Sequence, residues 1–285
     1  MDSQSWDDRI KRAEALAESQ SFARDPLNFY RKVLLFQKNL YTYLCGRLSA
    51  FAADAPNEAC PLHGGSLESH LPLLLAHFPS FVSLIRRVGS PLLSETAARL
   101  SEGSSGGEPA SLLQAYWSKE LIADQMGDDL SLLFFPKAFL QPYAEFLAEK
   151  HKTQAFKDRW EVAEGASPYC PLCNGRPQVS ILRSEGDGAK RMLLCSACLT
   201  EWRFKRVQCA ACGEESFGKL PYHTASDFPH VRVEVCETCH KYIKGVDLTV
   251  NGLAVPLVDD VATLPLDIWA AEQGYDKIEM NLVGA

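Results

Sequence analysis

Four Cys-x-x-Cys pairs lie between residues 170 and 239, and they constrain this chain more than any other feature of it. They are Cys170/Cys173, Cys195/Cys198, Cys209/Cys212 and Cys236/Cys239; of ten cysteines, only Cys45 and Cys60 fall outside the segment. The second pair follows the first after 21 residues, the scheme restarts ten residues later, and the fourth pair follows the third after 23. This is an internal repeat with a period near 40 residues. Each half holds a knuckle, a β-hairpin's length of chain and a second knuckle, so four thiolates per half complete a tetrahedral site. That order favours sequential pairing over an interleaved cross-brace. The expected metal ligands are Cys170, Cys173, Cys195 and Cys198 in one site and Cys209, Cys212, Cys236 and Cys239 in the other.

Each half is too short to bury a core of its own, and a bound ion supplies the missing stabilisation, on the order of 10 kcal/mol for a structural site. Gly213, after Cys212, suits a turn whose N–H groups point at sulfur, and Pro171 stiffens the first knuckle. His240, beside Cys239, reads as an exposed residue before it reads as a partner of the site. Four-cysteine coordination leaves no open position for water, so hydrolysis is not expected. Spacing does not choose the metal: zinc and a single iron both suit such a tetrahedron, and iron would make the site rubredoxin-like. A catalytic dithiol would need a thioredoxin-like βαβ setting, which the region lacks.

The net charge is −7. Residues 165–245 carry eleven Arg and Lys against eight Asp and Glu, which leaves −10 on the remainder. Two divalent ions on eight thiolates would bring the cysteine segment to about −1, no trap for phosphate. Hydrophobic content of 46% and charged content of 23% are ordinary for a globular protein. The greasiest run, Leu130 to Phe135, falls far short of the ~20 residues that span a bilayer. The acidic opening, Met1 to Asp8, has no apolar signal segment. A cytoplasmic protein with reduced thiols and no membrane insertion is expected.

Residues 1–165 read as an all-helical domain. Trp6, Ile10, Ala13 and Ala17 mark one apolar stripe. Asp25-Pro26 opens a helix in which Phe29, Val33, Phe36, Leu40, Tyr43, Leu44, Leu48 and Phe51 recur at helical spacing, with Cys45 beside them as a buried thiol. Further helices are expected over Leu71 to Val88, interrupted at Pro79, and from Ser90-Pro91 to about Leu100. Others are expected around Leu113, Trp117 and Leu121, around Phe139 to Leu147, and around Phe156 and Trp160. Loops are expected at 54–66 and 101–109. The modules then occupy 166–206 and 207–250, with strands at Val179 to Leu182, Arg191 to Cys195, Trp202 to Phe204, Val231 to Cys236 and Tyr242 to Val246. Residues 251–285 hold a C-terminal helix and tail, the helix over about Asp259 to Gln273 with Leu264, Ile268 and Ala271 on one face. The fold class is a mainly α N-terminal domain, two small β-rich rubredoxin- or zinc-ribbon-like modules of four cysteines each, and a C-terminal helix.

Other candidates for chemistry are weaker. Cys60-Pro61-Leu62-His63 has ligand-like spacing without a second pair. His63, His70 and His77 recur every seven residues, but Pro72 and the neighbouring glycines break a common helix face. Arg203, Lys205 and Arg206, interleaved with Trp202 and Phe204, are the best nucleic-acid candidate, yet read more simply as a strand whose aromatics pack inward. No phosphate-binding glycine loop, nucleophile elbow or His-Glu-x-x-His motif occurs, and the chain does not read as an enzyme.

The cysteine segment resembles the formate dehydrogenase accessory protein family, FdhE. The residues that carry the resemblance are Cys170-Pro171-Leu172-Cys173, Leu194-Cys195-Ser196-Ala197-Cys198 leading to Thr200-Glu201-Trp202, Arg206-Val207-Gln208-Cys209-Ala210-Ala211-Cys212-Gly213, and Cys236-Glu237-Thr238-Cys239-His240-Lys241-Tyr242-Ile243-Lys244. Asp259-Asp260, Ala262-Thr263-Leu264-Pro265-Leu266-Asp267 and Glu272-Gln273-Gly274-Tyr275 extend it towards the C-terminus. Asp25-Pro26, Phe29-Tyr30-Arg31-Lys32-Val33 and Gln37 extend it upstream. The resemblance implies a cytoplasmic maturation factor, a helical domain joined to two rubredoxin-like modules that bind iron. It also implies contact with the catalytic subunit of respiratory formate dehydrogenase before export. The competing readings are a rubredoxin-like redox sensor or electron carrier, and a zinc-ribbon nucleic-acid binder that the charge balance disfavours. The sequence leaves oligomeric state open, a homo-oligomer included.

Overall fold

The computed structural model describes residues 5–48, 62, 66–102, 108–120, 131–151 and 167–284. The expectations for Phe51, Cys60, His63, Leu121, Phe156 and Trp160 lie outside these residues, as do most of those for the loops at 54–66 and 101–109. Two helices open the chain, α1 (Trp6–Ser19) and α2 (Arg24–Arg47). The described chain forms two compact units, Lys32–His151 and Met1–Arg31 with Lys152–Ala285, and the division falls within α2.

The helical unit continues from α2 through α3 (Ser66–Leu75), α4 (Phe78–Val88), α5 (Pro91–Glu102), α6 (Pro109–Trp117) and α7 (Ser131–His151). The interruption expected at Pro79 falls just before it, at Ala76-His77, because proline fits the first turn of α4. The stripe of α2 is rotated slightly from the one read in the sequence. Val33, Leu34, Leu40 and Leu44 are buried, whereas Phe36, Tyr43 and Leu48 are half-buried. The buried face also includes a polar residue: Gln37 is fully buried, its amide donating to Ala138 O at 2.7 Å and Gln141 Oε1 at 3.1 Å. Cys45 is half-buried rather than buried, and desolvation pushes its thiol up. In α7, Phe139, Leu140, Tyr143, Phe146 and Leu147 are all buried, and Phe139 meets Phe78 edge-on at 5.0 Å.

The second unit is built on a sheet of β1 (Pro177–Glu185), β2 (Gly188–Cys195), β3 (Glu201–Phe204), β4 (Tyr222–Thr224), β5 (Val231–Val235), β6 (Lys241–Asp247) and β7 (Asp276–Lys277). The strand order is β3-β2-β1-β6-β5-β4, with β7 also on β6. Neighbours are antiparallel except at β1–β6, where Val179 to Leu182 run parallel to Lys244 to Asp247, and at β6–β7. The β1–β6 seam joins the two halves of the repeat, so the two modules share one sheet. Strands β1 and β6 are central and buried on both faces over most of their length. In β5, Val231, Val233 and Val235 face the core while Arg232 and Glu234 face the other way, as the alternation predicts. Strands β4 and β7 gave no signal in the sequence.

The expected C-terminal helix is two helices, α8 (Pro256–Ala262) and α9 (Leu264–Glu272), broken at Thr263. The second buries Leu266, Asp267 and Ala270, while Ile268 is exposed. The break frees carbonyls that an unbroken helix would bond internally. Lys244 Nζ takes them, at 2.5 Å from Asp260 O and 3.4 Å from Thr263 O. Leu257 of α8 packs on Val179, Ile181, Met192 and Leu194, and Leu266 and Ala270 of α9 pack on Val231, Val233, Val235 and Tyr242. Helix α8 thus packs on both seam strands, β1 and β6, while α9 packs on the second module.

The adjacent acids Asp259 and Asp260 hold different partners. Asp259 accepts from Arg12 of α1 at 2.6 Å, from the Val255 amide at 2.7 Å, and lies 2.8 Å from His230 Nε2. This ties α1 to α8. Asp260 is fully buried and meets Lys244 at 2.9 Å and Lys277 at 2.8 Å; Asp267 completes the cluster, 2.5 Å from Lys244 and 3.1 Å from Lys277. Tyr242 and Lys244 both reach Asp267 from β6, at 2.8 and 2.5 Å.

Burial alone would raise the Asp260 carboxyl, but Lys244 and Lys277 outweigh it and hold it at about 2. An unfolded aspartate titrates near ~3.9. The carboxylate therefore contributes its full stability above about pH 4 and loses it as pH falls towards about 2. Asp260→Asn is expected to cost about 3–5 kcal/mol at pH 7, because it leaves two buried lysines, Lys244 and Lys277, against the single carboxylate of Asp267. It should also flatten the fall in stability below about pH 4 relative to the parent chain, measured by denaturant titration across pH.

Candidate metal centres

The four knuckles share one backbone design. The N–H of each first cysteine donates to the carbonyl five residues on: Cys170 to Gly175 (2.8 Å), Cys195 to Thr200 (3.0 Å), Cys209 to Glu214 (2.8 Å) and Cys236 to Lys241 (3.0 Å). In three of them the N–H after the second cysteine returns to the first cysteine's carbonyl, from Asn174 (2.7 Å), Gly213 (3.1 Å) and His240 (2.9 Å). The turn leaves inner amides free to point at sulfur, as Ala197 N does to Cys195 Sγ at 3.4 Å and Ala211 N to Cys209 Sγ at 3.3 Å. It also drives the residue after each second cysteine into the left-handed region: Asn174 (φ 53°), Leu199 (φ 55°), Gly213 (φ 80°) and His240 (φ 53°). Gly213 and Asn174 are residue types that favour this region. The histidine and leucine hold a conformation that costs a side-chain-bearing residue about 1–2 kcal/mol.

The structure brings Cys170, Cys173, Cys195 and Cys198 together as one group and Cys209, Cys212, Cys236 and Cys239 as another, all sulfurs of a group within 4.8 Å. Metal–sulfur bonds of ~2.3 Å in a tetrahedron require sulfurs about 3.8 Å apart. In the second group Cys209–Cys239 and Cys212–Cys236 are 3.8 and 3.7 Å apart. In the first, Cys170–Cys198 and Cys173–Cys195 are 3.6 and 3.3 Å apart, slightly contracted. A Cβ on Gly175 would stand 3.1 Å from both Cys173 Sγ and Cys195 Sγ, so glycine keeps that side of the cluster clear. Burial, and then the neighbouring thiols, push the Cys170 thiol up; four thiolates in such a pocket call for a cation. Both clusters are thus compatible with a tetrahedral ion. Zinc and iron fit alike.

Two polar networks brace the clusters, and sequence reading found neither. Glu234 of β5 reaches across the seam: it pairs with Arg232 (2.6 Å), with Arg191 of β2 (2.5 Å) and with Ser180 of β1 (2.9 Å). Gly245 of β6 lies beneath this carboxylate, where a Cβ would be 2.7 Å from Glu234 Oε1. Burial would raise the Glu234 carboxyl, but Arg191 and Arg232 hold it below its ordinary value. In the second site, Glu214 joins the two knuckles. Its carboxylate accepts the Thr238 hydroxyl at 2.7 Å and the Ser216 amide at 2.9 Å, which hold it at about 2.

The other sequence candidates are resolved by their partners. Trp202 and Phe204 are buried, while Arg203 pairs with Glu185, Lys205 with Glu215, and Arg206 donates to Ala189 O. The basic cluster is a strand face whose charge is largely matched. His70 is buried and bonded to Tyr143 OH at 2.9 Å, whereas His77 lies edge-on to Tyr43 at 4.4 Å. His240 is exposed and stacks on Tyr275. Among the described residues no third group of metal-ligating side chains occurs, and no single helix is long and apolar enough to cross a membrane.

Fold and sites together define a class: a helical protein with two four-cysteine ribbons fused into one sheet. Residues 169–206 match the family model "FdhE, central domain" and residues 207–283 the model "FdhE, C-terminal domain". A "Protein FdhE homolog" of Aquifex aeolicus is 29% identical over 283 residues, 96% of this chain and 94% of that protein. Another, of Stutzerimonas stutzeri, is 34% identical over 116 residues, 40% of this chain and 37% of that protein. The crystal structure of the FdhE protein from Pseudomonas aeruginosa has the same fold, with a TM-score of 0.67 at 22% identity, covering 100% of this chain and 98% of that one. The chain belongs to the FdhE family.

The left-handed residues give a direct test. His240→Gly should leave stability unchanged or raise it by up to about 1 kcal/mol, because glycine adopts φ > 0 freely. His240→Val should lower stability by more than about 1 kcal/mol, since a β-branched residue is a genuine outlier there. Thermal unfolding of the metal-loaded chain would measure both.

Proposed function

We propose that this protein is a non-catalytic accessory factor for the maturation of respiratory formate dehydrogenase, acting in the cytoplasm on the catalytic subunit before export. The observation that carries this reading is the pair of complete four-cysteine clusters in one sheet, in a chain of the FdhE family. Membership of that family supports the accessory role. All eight cysteines, Cys170, Cys173, Cys195, Cys198, Cys209, Cys212, Cys236 and Cys239, act as ligands, and the two ions are iron or zinc. Four-cysteine coordination gives substrate no open position on the metal, so the ions shape the protein. Nucleic acid is not the partner in this reading, since two of the three cations of the best candidate cluster, Arg203 and Lys205, are matched by carboxylates.

The test is capture of the formate dehydrogenase catalytic subunit by the tagged chain. Capture should be lost, by tenfold or more, when Cys195 and Cys198 are both replaced by alanine. Full retention by a variant shown to lack that ion would sink the version in which metal shapes the binding surface. Purification without oxygen, with metal analysis and a visible spectrum, separates iron from zinc. A colourless chain with two zinc ions would remove the competing redox reading.

A further inference from the structure

The two clusters have the same ligands and the same turns, but they meet solvent differently. In the first, Cys170, Cys173, Cys195 and Cys198 are 1%, 4%, 0% and 1% exposed. Leu172 and Leu199 beside them are buried, and the Thr200 hydroxyl, itself buried, lies 3.3 Å from Cys198 Sγ. The Trp202 indole donates to Ser167 O at 3.2 Å, tying the segment before the first knuckle to β3. In the second cluster Cys209 and Cys236 are buried, but Cys239 is half-buried and Cys212 is exposed. Thr238 and Glu237 within its fourth knuckle are exposed as well. A direct side-chain contact between its two knuckles on the outside is the Thr238–Glu214 hydrogen bond, and Lys219 bridges the same knuckles through Glu214 and the Glu237 amide.

A closed four-thiolate ion has no vacant position, so it leaves by substitution. With an ion held by four cysteines, each sulfur would have to give way in turn to an incoming donor and take up a proton as it left. The step requires the donor to reach a metal–sulfur bond from solvent. At Cys212 it can; at the first cluster the surrounding side chains must first open.

We infer that the ions have different roles: the first cluster holds a permanent structural ion, and the second an exchangeable one whose entry and exit pass through Cys212. The Glu214–Thr238 contact acts as its latch. The inference rests on the reading that both clusters bind metal, and metal content measured before any challenge tests that reading separately.

The experiment uses the full chain loaded with zinc and challenged with the chromogenic chelator 4-(2-pyridylazo)resorcinol. Two equivalents should leave in two phases at least tenfold apart in rate. Iodoacetamide labelling followed by peptide mass spectrometry during the fast phase should find Cys212 and its cluster modified, with Cys170, Cys173, Cys195 and Cys198 protected. Thr238→Val should speed the fast phase severalfold and leave the slow phase unchanged. A chain that retains one ion, with Cys170 to Cys198 protected, expresses the same asymmetry. Release of both ions at one rate, early labelling of the first cluster, or retention of an ion by the second cluster alone would overturn the assignment. An unchanged fast phase in Thr238→Val would remove the latch.

Discussion

The parallel pairing of β1 with β6 is the constraint on which the metal-bearing unit depends. Four register pairs, Val179 to Leu182 against Lys244 to Asp247, turn two short repeats into one sheet with two buried central strands. Other contacts between the halves, such as Lys205 with Glu215 and Arg191 with Gln208 O, lie outside the seam and add to it. Glu234 spans it to Ser180 and Arg191, which requires glycine at 245. Helix α8 packs on both seam strands and α9 on the second half, and Lys244, on the seam strand itself, bonds the carbonyls at the break between them. A module too small for a core has thereby acquired a share in a larger one.

The charges buried beside this sheet are placed for geometry. A buried ion pair gains little over an apolar replacement, so the Lys244–Asp260–Lys277–Asp267 cluster is better understood as a fixed set of directions than as a source of stability. Asp260 can satisfy two lysines only when β6, β7 and α8 are in register. Asp259, one residue earlier, faces the other way to hold Arg12 and His230. One dipeptide thus positions α1, the sheet and the C-terminal helices.

The grouping of the eight cysteines was legible because pairs at this spacing have few other uses, and the repeat order pointed to sequential pairing. Helices were legible from their stripes, apart from the polar Gln37, which lies on the buried face of α2. The seam was not, because β1 and β6 are separated by most of the second half of the repeat and a parallel pair leaves no local turn signal. The split between α8 and α9 was hidden because the pattern from Asp259 to Gln273 still has a helical period. What breaks it is Pro265, which has no N–H to bond Val261 O and stands in the first turn of α9; Lys244 then takes the carbonyls left over. Left-handed turns at Leu199 and His240 were invisible too, since neither residue type announces φ > 0.

The two family models divide between residues 206 and 207, but the sheet does not. A chain ending at 206 would present β1, and one beginning at 207 would present β6, as an open row of N–H and C=O groups inviting aggregation. Ribbon modules can be shuffled between proteins when each closes on itself. Here the two copies complete one another through β1 and β6, so a cut between them leaves each half with an open edge where the other should be.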